Sequence, residues 1–326
     1  MRIAHLSDLH LCSTFKNNNY ARLNNLIENA LDNGTDHFVF SGDIADNADE
    51  TEFSAFRKLL DNFGLLDADR SSIVIGNHDI FGGPQTANDV ITFPVKCLNI
   101  NYHERVSRFV TYFRELFDRT IRPGADVYFP FIKKMKDVVF FGLNSIDEYS
   151  RFKNPFASNG RIKKTQRKFL ADYLSKPEFS EKTKIVLVHH HFYHNSDPSK
   201  SSANGLWNRI EKFTMKLKGK RKLLDLFYKS NIKAVLHGHS HEMREYHRKG
   251  INFLNAGATM DNNPSYFLID VEPDVLKIKL QSTNNTGALK EYVNGFIPAE
   301  ATKPAQIYFN SENALLHSSI NRLVNR

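Results

Sequence analysis

Five short clusters of aspartate, asparagine and histidine, each at the end of an apolar run, constrain the fold of this chain most strongly. Short apolar runs bounded by polar turns are typical of strands buried on both faces. In an open α/β sheet the carboxyl ends of such strands share one edge, and ligands bind there. Clusters far apart in sequence can therefore meet at that edge. In chain order they are Asp8-Leu9-His10, Gly42-Asp43-Ile44-Ala45-Asp46, Gly76-Asn77-His78-Asp79, His189-His190-His191 and Gly238-His239-Ser240-His241.

The spacing of apolar residues predicts an α/β fold. Helical patterns separate several of the apolar runs, and after Gly250 strand-like segments follow one another without helices, which indicates an antiparallel portion. Asp49 with Glu52 resembles a capping box at a helix start, and Gly34 and Gly64 stand where helices end. We therefore expect mixed sheets. Strands are predicted at 3–6, 38–40, 73–75, 138–143, 185–188, 232–236, 251–254, 266–271 and 276–280, and helices at 20–31, 52–63, 106–117, 165–174 and 222–228.

The length of 326 residues and the hydrophobic content of 41% suffice for one large core. We expect a single domain over residues 1–283, with insertions near 81–131 and 192–221, and a C-terminal tail over 284–326 that packs on the domain or extends from it. Long segments that follow strand ends in α/β folds commonly line the site. Substrate specificity is therefore expected to depend on the two insertions.

The excess of 44 Lys and Arg over 36 Asp and Glu gives a formal charge of +8, much of it in residues 163–168 and 212–222. Such basic runs can attract a phosphate-bearing substrate or nucleic acid, although most charge runs are solvated helix faces. Binding of single-stranded nucleic acid also calls for aromatic residues among the charges. Trp207 and Phe213 lie near the second run, but no basic–aromatic groove is evident in the sequence. The sequence alone therefore does not favour a nucleic-acid partner.

The first residues run straight into a strand-like segment, without the pattern of a secretory signal, and no apolar run reaches the length of a membrane span. We therefore expect a cytoplasmic protein without a membrane span. The two cysteines, Cys12 and Cys97, are too few for a disulfide framework and are expected to be free thiols.

The donor types in the clusters indicate metal chemistry. One Asp-x-His alone means little, but five buried clusters of Asp and His at one edge would be costly without a cation. Carboxylate, imidazole and amide oxygen without thiolate suit Mn, Fe, Zn, Co or Mg. Two such ions, divalent or of mixed valence, can polarise a phosphoryl oxygen and activate water. The chemistry that follows is hydrolysis of a phosphoester, and the expected partner is a small phosphoester substrate.

The five clusters resemble, in order and spacing, the signature of the calcineurin-like metallophosphoesterases, over residues 1 to about 260. The resemblance implies two mixed β-sheets between helices, an αββα sandwich. It also implies a dinuclear metal centre. Asp8, His10 and His241 would bind the first ion, and Asn77, one histidine of the His189 cluster and His239 the second. Asp43 would bridge both.

The same resemblance implies a catalytic role for His78, which would contact the phosphoryl group and protonate the leaving group. Asp46 and Asp79 would orient histidines and fix their tautomers. Asp46 could equally be an ordinary turn or helix-start residue.

The three-histidine cluster leaves its ligand open. The family usually has His-His-Pro after an apolar strand, with the first histidine on the metal, whereas this chain has no proline there. Alignment of the strand ends favours His189. His190 would point to the opposite side of an extended chain and could contact substrate or orient another group.

Residues 1–82 are most similar to bacterial class III cyclic-nucleotide phosphodiesterases, so a phosphodiesterase acting on a cyclic nucleotide or another small diester is predicted. One alternative is a nuclease of the same fold. Another is a non-catalytic scaffold that has lost its metals, but a scaffold would be free to lose Asp43, Asn77 or His78, and all three are present.

Overall fold

A computed structural model of the chain describes residues 1–13, 19–84, 87–193, 215, 217–258, 264–273, 275–283 and 286–293. The strands are β1 (Arg2–Leu6), β2 (His37–Phe40), β3 (Ser71–Ile73), β4 (Phe131–Lys134), β5 (Val138–Gly142), β6 (Gly160–Arg161), β7 (Thr183–Leu187), β8 (Leu217–Lys218), β9 (Ile232–His237), β10 (Met243–Arg248), β11 (Ile251–Ala256), β12 (Ser265–Glu272), β13 (Val275–Ser282) and β14 (Thr286–Val293). The helices are α1 (Asn19–Asp32), α2 (Glu50–Asn62), α3 (His78–Phe81), α4 (Ala87–Leu98), α5 (Tyr102–Tyr112), α6 (Lys164–Leu174) and α7 (Lys220–Lys229), with 3₁₀ turns at Arg114–Phe117 and Pro177–Phe179.

Two six-stranded sheets contain most of the strands. The first has the order β14-β13-β12-β1-β2-β3, and the second β10-β11-β9-β7-β5-β4. In the first, β1, β2 and β3 are parallel while β12, β13 and β14 pair antiparallel. In the second, β11, β9, β7 and β5 are parallel, and antiparallel strands β10 and β4 form its edges. Both sheets are mixed, which confirms the predicted fold class.

Two hydrophobic cores give the sheets their layers. Alternate residues of the second sheet enter different cores: Phe140 joins the core shared with the first sheet, α1 and α2, whereas Phe141 joins the core beneath α6 and α7. This period of two follows from the pleat of a strand. Because the inner strands are covered on both sides, their residues are mostly apolar, although β11 also buries Asn252 and Asn255.

Most of the elements agree with the sequence patterns, and the capping box of Asp49 and Glu52 is confirmed at the start of α2. The third strand ends at Ile73, two residues before the predicted end. The sequence patterns do not predict strands β4, β6, β8 and β10 or helices α3 and α4. β10 reads Met-Arg-Glu-Tyr-His-Arg and is only partly buried, because a charged edge strand needs no apolar run. In the segment that the sequence treats as a tail, residues 286–293 form β14 and pair with β13.

Both cysteines are free thiols, as predicted. None of the helices within the described residues is long and apolar enough to cross a membrane. The predicted tail from 294 onward lies outside the described residues, as do Trp207, Phe213 and most of the 192–221 insertion.

Candidate metal site

The five clusters meet where the parallel strands of both sheets end. Asp8 and His10 follow β1, Asp43 follows β2 and Asn77 follows β3, all in the first sheet. The second sheet contributes His189 after β7, and His239 and His241 after β9. Six of these seven side chains are buried, and His241 is the exception with a side chain 32% exposed. The structure therefore brings together all seven residues that were predicted from the sequence to be metal ligands.

Left-handed backbone turns the chain sharply at this edge. Asp8, His10, Asp43, His239 and His241 have φ of 52°, 45°, 52°, 79° and 53°. Non-glycine residues rarely adopt this conformation, although Asp and His do so more readily than most. Strained backbone of this kind clusters at functional sites, where the surrounding structure holds it in place.

One group of donors consists of Asp8, His10, Asp43 and His241, whose ligand atoms all lie within 4.8 Å of one another. His10 Nε2 lies 2.9 Å from His241 Nε2, and His241 Nε2 lies 3.6 Å from Asp8 Oδ1. The backbone N–H of His239 donates to both oxygens of Asp8 at 3.0 Å and so orients this carboxylate.

A second group consists of Asp43, His189 and His239 within the same limit. His189 Nε2 lies 3.2 Å from Asp43 Oδ2, 3.2 Å from His239 Nδ1 and 3.1 Å from the side-chain oxygen of Asn77. His189 Nδ1 donates to the carbonyl oxygen of Ser41 at 2.9 Å, which assigns the other ring nitrogen to the cluster. Asp43 is the only residue common to both groups.

The other two histidines of the cluster make different contacts. His190 Nδ1 lies 2.8 Å from Ser145 Oγ, and its Nε2 donates to the carbonyl oxygen of Ser158 at 3.2 Å. The ring packs against His239 with centroids 4.2 Å apart, but both of its nitrogens already have partners. His191 stacks on Tyr193 at 4.2 Å. Of the three histidines, His189 is the one that directs a ring nitrogen to Asp43.

Asp46 joins the first donor group to His78, and His10, Asp46 and His78 form a third group within the same limit. Its Oδ1 accepts from His10 Nδ1 at 3.0 Å and from His78 Nδ1 at 3.2 Å, and its carbonyl oxygen accepts from His78 Nδ1 at 3.0 Å. Asp46 therefore fixes the tautomers of two histidines, the role that the family resemblance implied. The side chain of His78 is 21% exposed, so the site meets solvent at His78 and His241.

Asp79 has a different role from the predicted one. Its carboxylate accepts from the backbone N–H groups of Ile44, Ala45 and Gly76 at 2.9, 3.0 and 2.8 Å. The expectation that Asp79 orients a histidine is therefore wrong. The carboxylate instead ties the turn after β2 to the turn after β3, which fixes Asp43 relative to Asn77.

Two glycines make room for the carboxylates. A Cβ at Gly76 would overlap the side chain of Asp43, and a Cβ at Gly238 would overlap Ser7 and Asp8. Both glycines belong to the sequence clusters, and their function is close approach of backbone to ligand rather than a special φ. Any larger residue would displace the carboxylate of Asp43 or Asp8.

The electrostatics of the site favour bound cations. Burial, reinforced by the Asp43 carboxylate, raises the pKa of Asp8 to about 6 and that of Asp79 to about 7. Burial opposes charge on both histidines, but it is outweighed by Asp43 with Asp8 at His189, and by Asp43 with Asp46 at His78, so their pKa values rise to about 9 and about 10. Burial lowers the pKa of His239 well below its usual value, so this imidazole is neutral. Without metal, protons therefore supply the positive charge that the carboxylates require, and the donor set fits metal ions.

Sequence reasoning missed the residues that hold the histidines. Ser41, Ser145 and Ser158 contact His189 and His190 through hydroxyl or carbonyl oxygens. A serine next to a strand end is too common to be singled out. For Ser41, its position directly before Gly42 of the second cluster is the one signal available in the sequence.

Comparisons with known proteins agree with this architecture. The family model of the calcineurin-like phosphoesterases matches residues 1–243. A dimetal phosphatase from Danio rerio has a TM-score of 0.59 at 11% identity, over 90% of this chain and 99% of that one. A purple acid phosphatase from seeds of yellow lupin (Lupinus luteus) has a TM-score of 0.58 at 11% identity, over 95% of this chain and 57% of that one. At such identities the likeness shows the fold alone. No curated protein matches the chain.

Proposed function

The chain belongs to the calcineurin-like phosphoesterase family, and we propose that it is a phosphodiesterase dependent on a dinuclear metal centre. The observation that carries the proposal is the position of Asp43. Its carboxylate is shared by the first and the second group of potential ligands, as a bridging ligand must be. An isolated buried Asp–His pair would have no such shared member.

The proposed ligands follow the two groups. Asp8, His10 and His241 would bind one ion, Asn77, His189 and His239 the other, and Asp43 both. The convergence of imidazole nitrogens with carboxylate and amide oxygens supports this assignment. The donors suit Mn, Fe, Zn or Co, as divalent ions or a mixed-valence pair, better than soft metals, because no thiolate is among them.

When bound, the two ions would supply Lewis acidity and an activated water. His78 would supply the proton. Its Nδ1 donates to Asp46, so Nε2 is the ring atom left for the leaving-group oxygen. The exposed fraction of its side chain gives a substrate access to that atom. Asp46 also stabilises the charged imidazole of His78, so that His78 would keep its proton until the ester bond breaks.

The role of His78 predicts a dependence on the leaving group. His78→Ala is expected to lower kcat by about 10²–10⁴-fold for diesters with poor leaving groups and much less for nitrophenolate, because nitrophenolate leaves without a proton. Metal content should not change. The measurement is kcat for a series of leaving groups of different pKa, with metal analysis of each sample.

His103→Ala is the matched control, since His103 is an exposed histidine on α5. The control should match the wild type throughout. Equal losses for good and poor leaving groups in His78→Ala would contradict the role of proton donor.

The choice of a diester rests on the similarity of residues 1–82 to class III cyclic-nucleotide phosphodiesterases. A panel assay tests the choice: the chain is stripped of metal, reloaded with Mn²⁺, and given cyclic nucleotides, a glycerophosphodiester, oligonucleotides and a phosphomonoester. We expect hydrolysis of at least one small diester, with the monoester cleaved more slowly. Preference for the monoester would overturn the diester assignment. Absence of all hydrolysis with two ions bound would favour the non-catalytic scaffold.

A further inference from the structure

The positive charge of the chain is concentrated on one surface. Residues 147–168 and 217–222, here called the cationic surface, contain eleven Lys and Arg but only Asp147 and Glu148 as acids. Their formal charge of +9 compares with +8 for the whole chain, so the remaining residues together are almost neutral. The net positive charge of the chain is therefore accounted for by the cationic surface, and the other residues contribute almost none of it.

The fold brings these two stretches together although they are well separated in sequence. Strands β6 and β8 pair in parallel and set Arg161 beside Lys218. Lys218 Nζ donates to the carbonyl oxygen of Lys153 at 3.0 Å, and the Arg167 guanidinium lies beside Gly219. The two basic runs of the sequence are thus parts of a single surface, as far as their residues are described.

An aromatic residue projects from the same surface. Phe152 is 92% exposed at the tip of a turn, between Arg151 and Lys153. The turn is closed by paired hydrogen bonds between the backbones of Ser150 and Asn154. Asn154 is fully buried, and its side chain donates to the carbonyl oxygens of residues 147 and 148. The hydrogen bonds hold this turn in one conformation. The exposure of the Phe152 ring is therefore a fixed feature of the surface and not the result of a loosely held loop.

Ion pairs within the protein neutralise few of these cations. Asp147 pairs with Arg161 and Lys218, and Glu148 pairs with Lys163. Among the described residues no ion pair involves the exposed residues Arg151, Lys153, Lys164, Lys168, Arg221 and Lys222. Neither α6 nor α7 has an acid in its first turn, although the helix dipole favours acids and disfavours cations there. Cations that oppose helix stability are better explained by an anionic ligand.

The cationic surface adjoins the candidate metal site. The carbonyl oxygen of Ser158 accepts from His190, whose ring packs on His239. Lys220 Nζ donates to the carbonyl oxygen of Tyr193, next to the His191 ring. An extended ligand on this surface would therefore have one end near the metal ligands.

We propose that the cationic surface binds single-stranded nucleic acid, with its cations on successive phosphates and Phe152 stacked on a base. A groove or face of cations with an exposed aromatic ring is the arrangement that binds single strands without sequence preference. A membrane is the other anionic partner to consider, but interfacial binding needs a broad apolar face. Phe152 and Phe156 are the exposed large apolar residues of this surface in the described part of the chain. The proposal concerns binding and does not require that the strand be the substrate.

The test uses fluorescence anisotropy with a labelled oligothymidylate of about 20 nucleotides, in EDTA so that metal-dependent hydrolysis cannot interfere. Lys164→Glu with Lys168→Glu should weaken binding at least tenfold and make the salt dependence shallower, by about 0.7 in log–log slope for each phosphate that is no longer neutralised. Lys58→Glu with Lys136→Glu makes the same charge change at exposed positions elsewhere and should leave binding within about twofold.

Position 152 separates stacking from membrane insertion. Phe152→Ala and Phe152→Leu should both weaken binding about tenfold, while Phe152→Trp should retain it, because leucine keeps apolar area but cannot stack. All variants should hydrolyse a small chromogenic diester like the wild type, so failure here leaves the proposed function untouched. Equal losses in both double variants, wild-type binding by Phe152→Leu, or binding to phosphatidylserine vesicles but not to the oligonucleotide would each overturn the proposal.

Discussion

Asp43→Asn is expected to abolish binding of both metal ions at micromolar concentrations and to lower kcat by more than about 10³-fold. The effect should exceed the 10–100-fold cost of losing a residue that merely orients a ligand. The reason is geometric, since Asp43 Oδ2 lies 3.2 Å from His189 Nε2 and 3.9 Å from His10 Nε2, and so serves both groups of donors. Asparagine keeps the shape of the side chain but removes the charge that balances two cations.

The measurement combines metal analysis after dialysis with the rise in Tm on addition of Mn²⁺. Binding to the native state alone stabilises a protein by mass action, so the wild type should show a rise and Asp43→Asn almost none. Asp61→Asn, an exposed substitution of the same kind on α2, is the control and should behave as the wild type. Two metals per chain in Asp43→Asn would show that Asp43 does not bridge.

Convergence of the clusters could be predicted because it depends on a rule of topology. Parallel strands end at one edge, so residues as far apart as Asp8 and His241 could be assigned to one site from the sequence alone. The core elements were predictable for a related reason. Strands covered on both faces are mostly apolar, so runs such as 138–143 and 185–188 are distinct in the sequence.

Features that depend on tertiary contacts could not be predicted. Asp79 was expected to contact a histidine, but its carboxylate binds three backbone amides, and no pattern of residue types distinguishes these two partners. The left-handed backbone at His239 and His241 could not be predicted either, because histidine adopts many backbone conformations. The exposure of Phe152 beside the basic runs is a further example. It depends on the turn that the side chain of Asn154 stabilises, and this contact is not evident in the sequence.

His189→Ala is expected to remove one of two metal ions and to lower kcat by more than about 10³-fold, whereas His190→Ala should keep both ions. His189 Nε2 is the atom that meets Asn77 and His239, and its neighbour His190 directs both nitrogens elsewhere. The expected defect of His190→Ala is in stability. Burial first, then the nearby His189, lowers the pKa of His190 to about 3, so it is a neutral buried ring held by Ser145 and Ser158. Its removal should reduce the free energy of unfolding by about 1–3 kcal/mol.

The two variants control for each other, because they remove the same side chain from adjacent, fully buried positions. Metal analysis separates ligand from support, and urea denaturation in EDTA measures stability without metal. If His190→Ala lost an ion while His189→Ala kept two, the ligand assignment would be reversed. The sequence left the choice between His189 and His190 open, and the expected result would follow from one physical difference between them. His189 Nδ1 donates to the carbonyl oxygen of Ser41, so Nε2 is the nitrogen that could bind a metal ion, whereas both nitrogens of His190 already have protein partners.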